Sequence, residues 1–383
     1  MPFALYMLAL AVFVMGTSEL MLVGLLPAIA HTLDVDLGTA GLLTSAFAIG
    51  MVVGAPLTSA FARRWPPRRV LLMCVLVFAG CHAAGALTAS FWILLSTRVI
   101  SAFANAGFLA VALSAAAALV PAERQGRALA ILLSGTTIAT VAGVPAGALL
   151  GAAAGWRATF WSIALLCVPA AIGVVRGVRG PSASARETPA LAAELGTLRS
   201  PRLLVMMTLG ALVNGATFAA LTYLAPVVTE VAHLREMWIS VVLVMFGLGS
   251  FIGVTVAGRL SDDRPEFVLM IGGPLLVTGW ITLALGARTP VLLLVLVLVQ
   301  GSLAFGVGST LIARVLRTAS GAPTMGGSFA TMALNLGAAA GPVIGGLVLA
   351  ADGRVLAPIG VAAGLSAAAV LILWIARARR MPL

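Results

Sequence analysis

Residues 39–69 read TAGLLTSAFAIGMVVGAPLTSAFARRWPPRR: an apolar block long enough to cross a bilayer, closed by four arginines within seven residues. The next block, 69–89, ends without a basic residue, and the block after it, 91–119, runs into Arg124 and Arg127. Runs of about 20 apolar residues mark membrane-spanning helices. The same reading places segments at 5–30, 39–62, 69–89, 91–119, 128–152, 157–176, 202–229, 238–258, 267–287, 289–313, 325–350 and 355–376. The gaps after segments 2, 4, 6, 8 and 10, with the C-terminal tail, hold 18 of the 23 arginines. The opposite gaps hold Arg157, Arg235, Arg288 and Arg354, and Arg98 alone lies within a segment. Positive charge accumulates on the cytoplasmic side of a membrane protein. The expected protein is therefore all-α and polytopic, with twelve spans in the cytoplasmic membrane and both termini cytoplasmic.

Composition narrows the function. The chain is 61% hydrophobic and 9% charged, unlike a soluble domain. Its net charge of +11 would point to nucleic acid in a soluble protein. Here the charge is the loop bias itself, placed to meet anionic lipid, and no nucleic-acid partner is expected. The sequence contains no lysine, so a lysine-bearing phosphate loop is excluded and no ATP site is expected. The first segment is too long for a signal peptide and lacks a basic start. Cys74, Cys81 and Cys167 lie in apolar segments and read as packing residues, with no disulfide framework or metal site. No cofactor and no enzymatic activity are expected.

The polar stretch 177–201 divides the segments six and six and reads as a cytoplasmic linker. The expected domains are 1–176, an N-terminal six-helix bundle, and 202–383, a C-terminal six-helix bundle with a short basic tail. The halves repeat. Pro27 recurs 199 residues on as Pro226, Gly50 and Gly54 as Gly249 and Gly253, and Gly107 as Gly306. Gly143 and Gly147 recur, one residue short of that offset, as Gly341 and Gly345. A repeat of six spans preserves orientation, which is the parallel repeat of two-bundle transporters.

Glu19 is the sharpest chemical signal. A carboxylate in mid-span costs on the order of 3 kcal/mol on insertion scales and marks an ion or proton path more often than a self-satisfied polar group. At a rise of roughly 1.5 Å per residue, Arg98 lies roughly 12 Å and Glu19 roughly 16 Å below the outer ends of their segments, so the two can pair directly or through water. His82 reads as a neutral packing histidine, with a proton relay as its alternative. At offset 199, Glu19 corresponds to Phe218 and Arg98 to Val297, so the intramembrane ionisable groups fall in the first half. The second half offers Asn214, Gln300 and Asn335. This suggests that the first half carries the proton and the second supplies much of a neutral, partly aromatic substrate surface. The candidate substrate residues are Asn105, on the Arg98 face of its helix, with Asn214, Phe218 and Gln300. The amides have an alternative use in bridging helices. Gly143, Gly147, Gly151 and Gly155 form a bare ridge around Pro145, and Gly337, Gly341 and Gly345 form another beside Pro342.

The chain resembles the major facilitator superfamily along essentially its whole length, and within it the bacterial drug:proton antiporters. GTSELMLVGLLP (16–27), GLLTSAFAIGMVVGAPL (41–57), TRVISAFANAGFLAVAL (97–113), GTTIATVAGVPAGALLG (135–151) and GWRATFW (155–161) look like the chloramphenicol-efflux branch. The resemblance implies a monomeric, proton-coupled exporter of a small drug working by alternating access, with segments 1, 4, 7 and 10 around a central cavity. It implies that Arg98, in LLSTR, takes part in proton coupling, and links the Gly143–Pro145–Gly147 motif to export. The family's loop between segments 2 and 3 is degenerate here, with Ser59 and Arg63 in place of glycine and aspartate. Its second copy, AGRLSDDR, keeps Gly258, Asp262 and Arg264 for a conformational latch, for which simple positive-inside anchoring is the alternative. Relatives of this kind also resemble exporters of sugars, nucleosides and other drugs. A nontransporting sensor would be expected to append a soluble domain, and two pseudo-symmetric halves suit rocking better than a channel.

Overall fold

The computed structural model describes residues 2–61, 65–121, 125–178, 191–319, 321–322 and 325–379, and these are helical almost throughout. The helices are α1 (Phe3–Leu20), α2 (Leu22–Leu33), α3 (Leu37–Phe61), α4 (Pro67–Leu87), α5 (Phe91–Ala118), α6 (Gln125–Ile138), α7 (Val144–Ala154), α8 (Trp156–Gly177), α9 (Leu191–Gly196), α10 (Pro201–Thr222), α11 (Leu224–Pro226), α12 (Met237–Asp263), α13 (Pro265–Gly286), α14 (Pro290–Thr318), α15 (Gly326–Asp352) and α16 (Ala357–Ala378). Among the described residues, twelve spans are long and apolar enough to cross a membrane. They coincide with the twelve expected segments, and leucine, isoleucine and valine cover the outward faces of these helices.

Three expected spans are not continuous α-helices. The first breaks at Met21 into α1 and α2. The fifth passes through a π turn, Ala139–Gly143, just before Pro145 at the start of α7. Proline has no N–H to give its helix, and the widened turn absorbs the interrupted ladder. The seventh ends in a second π turn, Val227–Val231, directly after Pro226. Within the polar stretch 177–201, Leu191–Gly196 is helical and runs into a 3-10 turn at Thr197–Arg199. Buried Glu194 of this helix accepts a 2.7 Å hydrogen bond from the Met325 N–H, at the start of α15. A carboxylate suits the positive end of a helix.

The chain forms two compact units: residues 1–35 with 46–187, and residues 36–45 with 188–383. In the first, α1 packs on α6 and α8, and α4 packs on α5 and α8; in the second, α10 packs on α15 and α16, and α13 on α14 and α16. The repeat seen in the sequence is reproduced contact by contact. A Cβ on Gly50 would lie 2.6 Å from the Val99 carbonyl, and one on Gly249 would lie 2.1 Å from the Leu298 carbonyl. Gly54 faces Phe103 as Gly253 faces Ser302. Each of these partners is 199 residues from its counterpart. Even a backbone irregularity recurs: Asp34 and His233 share the offset and are the two non-glycine residues with positive φ among those described, at 51° and 52°. That conformation costs a non-glycine residue roughly 1–2 kcal/mol.

Asp36–Ser45 packs within the second unit. Its Asp36 carboxylate accepts the Thr39 hydroxyl and, at 2.9 Å, the Thr39 N–H, which holds its carboxyl below the usual range. Gly38 packs against Gly346, and Gly41 against the Tyr223 hydroxyl, which donates 2.8 Å to the Pro342 carbonyl.

Candidate functional site

The polar centre of the first unit is built where α1 ends. The last carbonyls of an α-helix lack helical partners, and Ser18 lies in the final turn of α1. Arg98 of α5, 1% exposed, donates from Nη1 to Ser18 Oγ at 2.9 Å and from Nη2 to the Ser18 carbonyl at 3.0 Å. A cation is favoured at the negative end of a helix dipole. The Arg98 guanidinium also lies 4.4 Å from the ring centre of Phe47, a further attraction.

His82 of α4 closes the arrangement. It is 1% exposed, with Nδ1 2.8 Å from the Phe78 carbonyl and Nε2 2.6 Å from Ser18 Oγ. A carbonyl only accepts, so Nδ1 carries the proton. Ser18 Oγ already accepts from Arg98, so its own proton goes to a bare Nε2. The hydrogen bonds therefore run in one direction, Arg98 to Ser18 to His82 to Phe78, and fit a neutral imidazole beside a guanidinium. Phe78 and Phe160 flank the ring at 4.3 and 5.6 Å between centroids.

Glu19 is one residue from Ser18 and half-buried. Its charge and that of Arg98 are within electrostatic reach. Among the described residues, however, no direct ion pair joins them: Arg98 is engaged by Ser18. Similar depth along two spans does not make two side chains meet: one residue turns a helix by about 100°, and Ser18 occupies the face that meets α5. Asn105 lies two turns beyond Arg98 on α5, is 7% exposed, and makes no side-chain hydrogen bond among the described residues.

The other candidates lie in the second unit. Asn214 donates 2.7 Å to the Leu334 carbonyl and so ties α10 to α15. Phe218 is buried one turn further along α10. Gln300 is fully buried and donates 3.1 Å to the Leu276 carbonyl, while its Oε1 and the nearby Trp280 Nε1 have no hydrogen-bond partner among the described residues. Gly279 makes room for it, since a Cβ there would lie 2.4 Å from Gln300 Oε1. In this conformation both amides bridge helices, the alternative the sequence offered. Asn335 bonds within its own helix, to the Thr331 carbonyl at 3.0 Å.

The segment-5 ridge packs onto the first helix pair. A Cβ at Gly143 would lie 2.1 Å from Thr17 Oγ1 and 3.0 Å from the Phe13 ring, and one at Gly151 would lie 2.2 Å from Leu25. Gly147 has more room, with Thr159 at 3.2 Å. Gly155 has φ +81° and separates α7 from α8. Of the latch motif, Arg264 is exposed and its N–H closes α12 on the Leu260 carbonyl. Arg63, and the side-chain surroundings of Ser59, Gly258 and Asp262, lie outside the described residues. Ser18 and Glu194 were not singled out from the sequence. A serine in a helix carries no signal by itself: Ser18 meets His82, 64 residues away, and the Glu194 carboxylate meets the Met325 N–H, 131 residues away.

A polytopic helical fold with two repeated bundles, and a charged centre buried in a span, defines a membrane transporter. The Major Facilitator Superfamily model matches residues 8–328, and the chain belongs to that family. It is 60% identical over 374 residues to a chloramphenicol resistance protein of Streptomyces lividans, covering 97% of this chain and 95% of that protein. It is 33% identical over 385 residues to the inner membrane transport protein YdhP of Escherichia coli K12, covering 99% and 97%. Among solved structures, the nucleoside transporter NupG superposes with a TM-score of 0.78 at 14% identity, covering 97% of this chain and 98% of that one. An inward-facing bacterial homolog of the human lysosomal transporter Spinster gives 0.76 at 17% identity, covering 98% and 94%. These two likenesses concern the fold.

Proposed function

We propose that this protein exports a small drug, chloramphenicol foremost, across the cytoplasmic membrane in exchange for protons, by alternating access. The observation that carries the drug assignment is 60% identity along nearly the full length to a chloramphenicol resistance protein. Glu19 is the coupling acid: its carboxyl loses a proton to water as drug enters from the cytoplasm, and takes one from water on the outer side after release. Arg98 is the fixed charge beside it. Asn105 and Phe218 contact the drug, and Asn214 and Gln300 offer it the acceptor ends left when their amide nitrogens bridge helices. Gly143, Pro145 and Gly147 give the fifth span its close seat on the first. Gly258, Asp262 and Arg264 latch one conformation. One chain carries both halves, so a monomer suffices, and its basic loops rest on anionic lipid.

Expression in a drug-sensitive host should raise chloramphenicol tolerance, and a protonophore should abolish the active export. Unchanged intracellular chloramphenicol in expressing cells would remove the substrate assignment. Export that survives collapse of the proton gradient would remove the energy source.

Arginine parity sets the orientation proposed here. Single cysteines placed in 31–38 or 230–237 should react with an impermeant thiol reagent in intact cells, and those in 63–69 or 177–200 should not. External labelling at position 68 would invert the topology.

A further inference from the structure

Arg98 and Glu19 are the two charged side chains of this centre, yet they do not meet. Three groups account for where the guanidinium goes instead. The Ser18 carbonyl and hydroxyl take its two Nη donors, and the Phe47 ring covers its face. Ser18 is itself held, because its hydroxyl must accept from Arg98 and give its proton elsewhere. His82 Nε2 is that acceptor at 2.6 Å, and the Nδ1 bond to Phe78 keeps it unprotonated. The ionisable side chains facing Arg98 are Glu19 from α1 and Cys81 and His82 from α4; α3 presents the uncharged Phe47.

We infer that Ser18 and His82 are positioning residues: together they hold the Arg98 guanidinium on the end of α1 and off the Glu19 carboxyl, which is thereby left free to hold and release the coupled proton. The inference rests on Glu19 being the coupling acid. Its logic is competition for one cation. A carboxylate hydrogen-bonded to Arg98 stays ionised and has no proton to exchange. If the Ser18 hydroxyl is removed, or loses its acceptor, Nη1 loses its fixed partner and Glu19, the adjacent residue, is the strongest acceptor within reach. His82 thus acts through Ser18 and Arg98 without touching drug or proton.

The test reads Glu19 directly and does not depend on the drug. In the purified full chain in detergent, the infrared band of a protonated carboxyl that vanishes in Glu19→Gln belongs to Glu19. At the pH where the parent shows half of that band, Ser18→Ala and His82→Asn should keep about a tenth of it or less, the change expected when a cation pairs with the acid. Asn keeps a donor for the Phe78 carbonyl but places no acceptor at Nε2. His82→Gln, which can place its amide oxygen near Nε2, should retain the parent band. An unchanged band in both Ser18→Ala and His82→Asn overturns the positioning role, as does a His82→Gln protein that behaves like His82→Asn. The absence of any Glu19 band in the parent removes the free carboxyl itself. Drug-induced proton release separates the two levels: if Glu19→Gln releases protons like the parent, the coupling acid is wrong, whatever Ser18 and His82 do.

Discussion

Glu19→Gln should bring drug export down to the passive rate while leaving drug binding within about twofold of the parent, as expected for a change confined to coupling. The amide has the shape of a protonated carboxyl but cannot cycle a proton. One proton moving inward is worth about 2.3 kcal/mol per 100 mV, which sustains roughly a 50-fold concentration ratio of a neutral drug. That ratio should collapse to unity in the variant. Folding should survive. Among the described residues, no hydrogen bond or ion pair ends on the Glu19 carboxylate, so the substitution orphans no partner. A carboxylate in mid-span also costs on the order of 3 kcal/mol, so the thermal midpoint in detergent should be no lower than that of the parent. The measurements are uptake by inverted vesicles under an imposed gradient and proton release on adding drug to solubilised protein. Proton release equal to the parent would pass the coupling role to another group, and His82 is the next ionisable side chain in the centre.

What the sequence made legible follows from what membranes enforce. Hydrocarbon demands long apolar helices, so the twelve spans could be located from hydropathy alone. Close helix contacts demand glycine, so the repeat could be read from Gly50, Gly54, Gly249 and Gly253 before any contact was seen. Local backbone responses were harder to see. Pro145 and Pro226 announce an interrupted ladder, but not that a π turn absorbs it. The break at Met21 has no proline beside it. For the charged centre, residue counting offered a Glu19–Arg98 pair, direct or through water, and among the described residues no direct pair forms. Depth follows from counting residues, whereas the identity of a partner depends on helix rotation, and adjacent residues point about 100° apart. Ser18 became visible only once α4 and α5 were placed against α1. The amides Asn214 and Gln300 show the same limit from the other side. Polar side chains stand out in an apolar span, yet their partners, the Leu334 and Leu276 carbonyls, are backbone atoms that no sequence pattern marks.

The glycine ridges offer a graded series in which the neighbour, not the glycine, decides the outcome. Gly337→Ala should be the most damaging single methyl addition among them. Its Cβ would lie 2.0 Å from the Ala211 carbonyl oxygen and 2.7 Å from the Gly215 nitrogen, both backbone. No rotamer relieves that overlap, so α15 and α10 must separate along the contact. Overpacking of this kind costs typically 1–3 kcal/mol and more where backbone must move, and here it also opens the Asn214–Leu334 hydrogen bond, which spans the same pair of helices. Gly143→Ala should be milder in stability, because it meets the Thr17 hydroxyl and the Phe13 ring, side chains with some freedom to turn. Gly364→Ala meets nothing within 4 Å and should be neutral or slightly stabilising, since alanine is the better helix former. Thermal midpoints of the three purified variants test the order. A Gly337→Ala protein as stable as Gly364→Ala would mean that α10 and α15 are not in backbone contact, and would remove the physical reason for the glycines in the eleventh span. If instead Gly143→Ala keeps its stability but loses export, the segment-5 ridge serves movement along the first span, beyond simple packing.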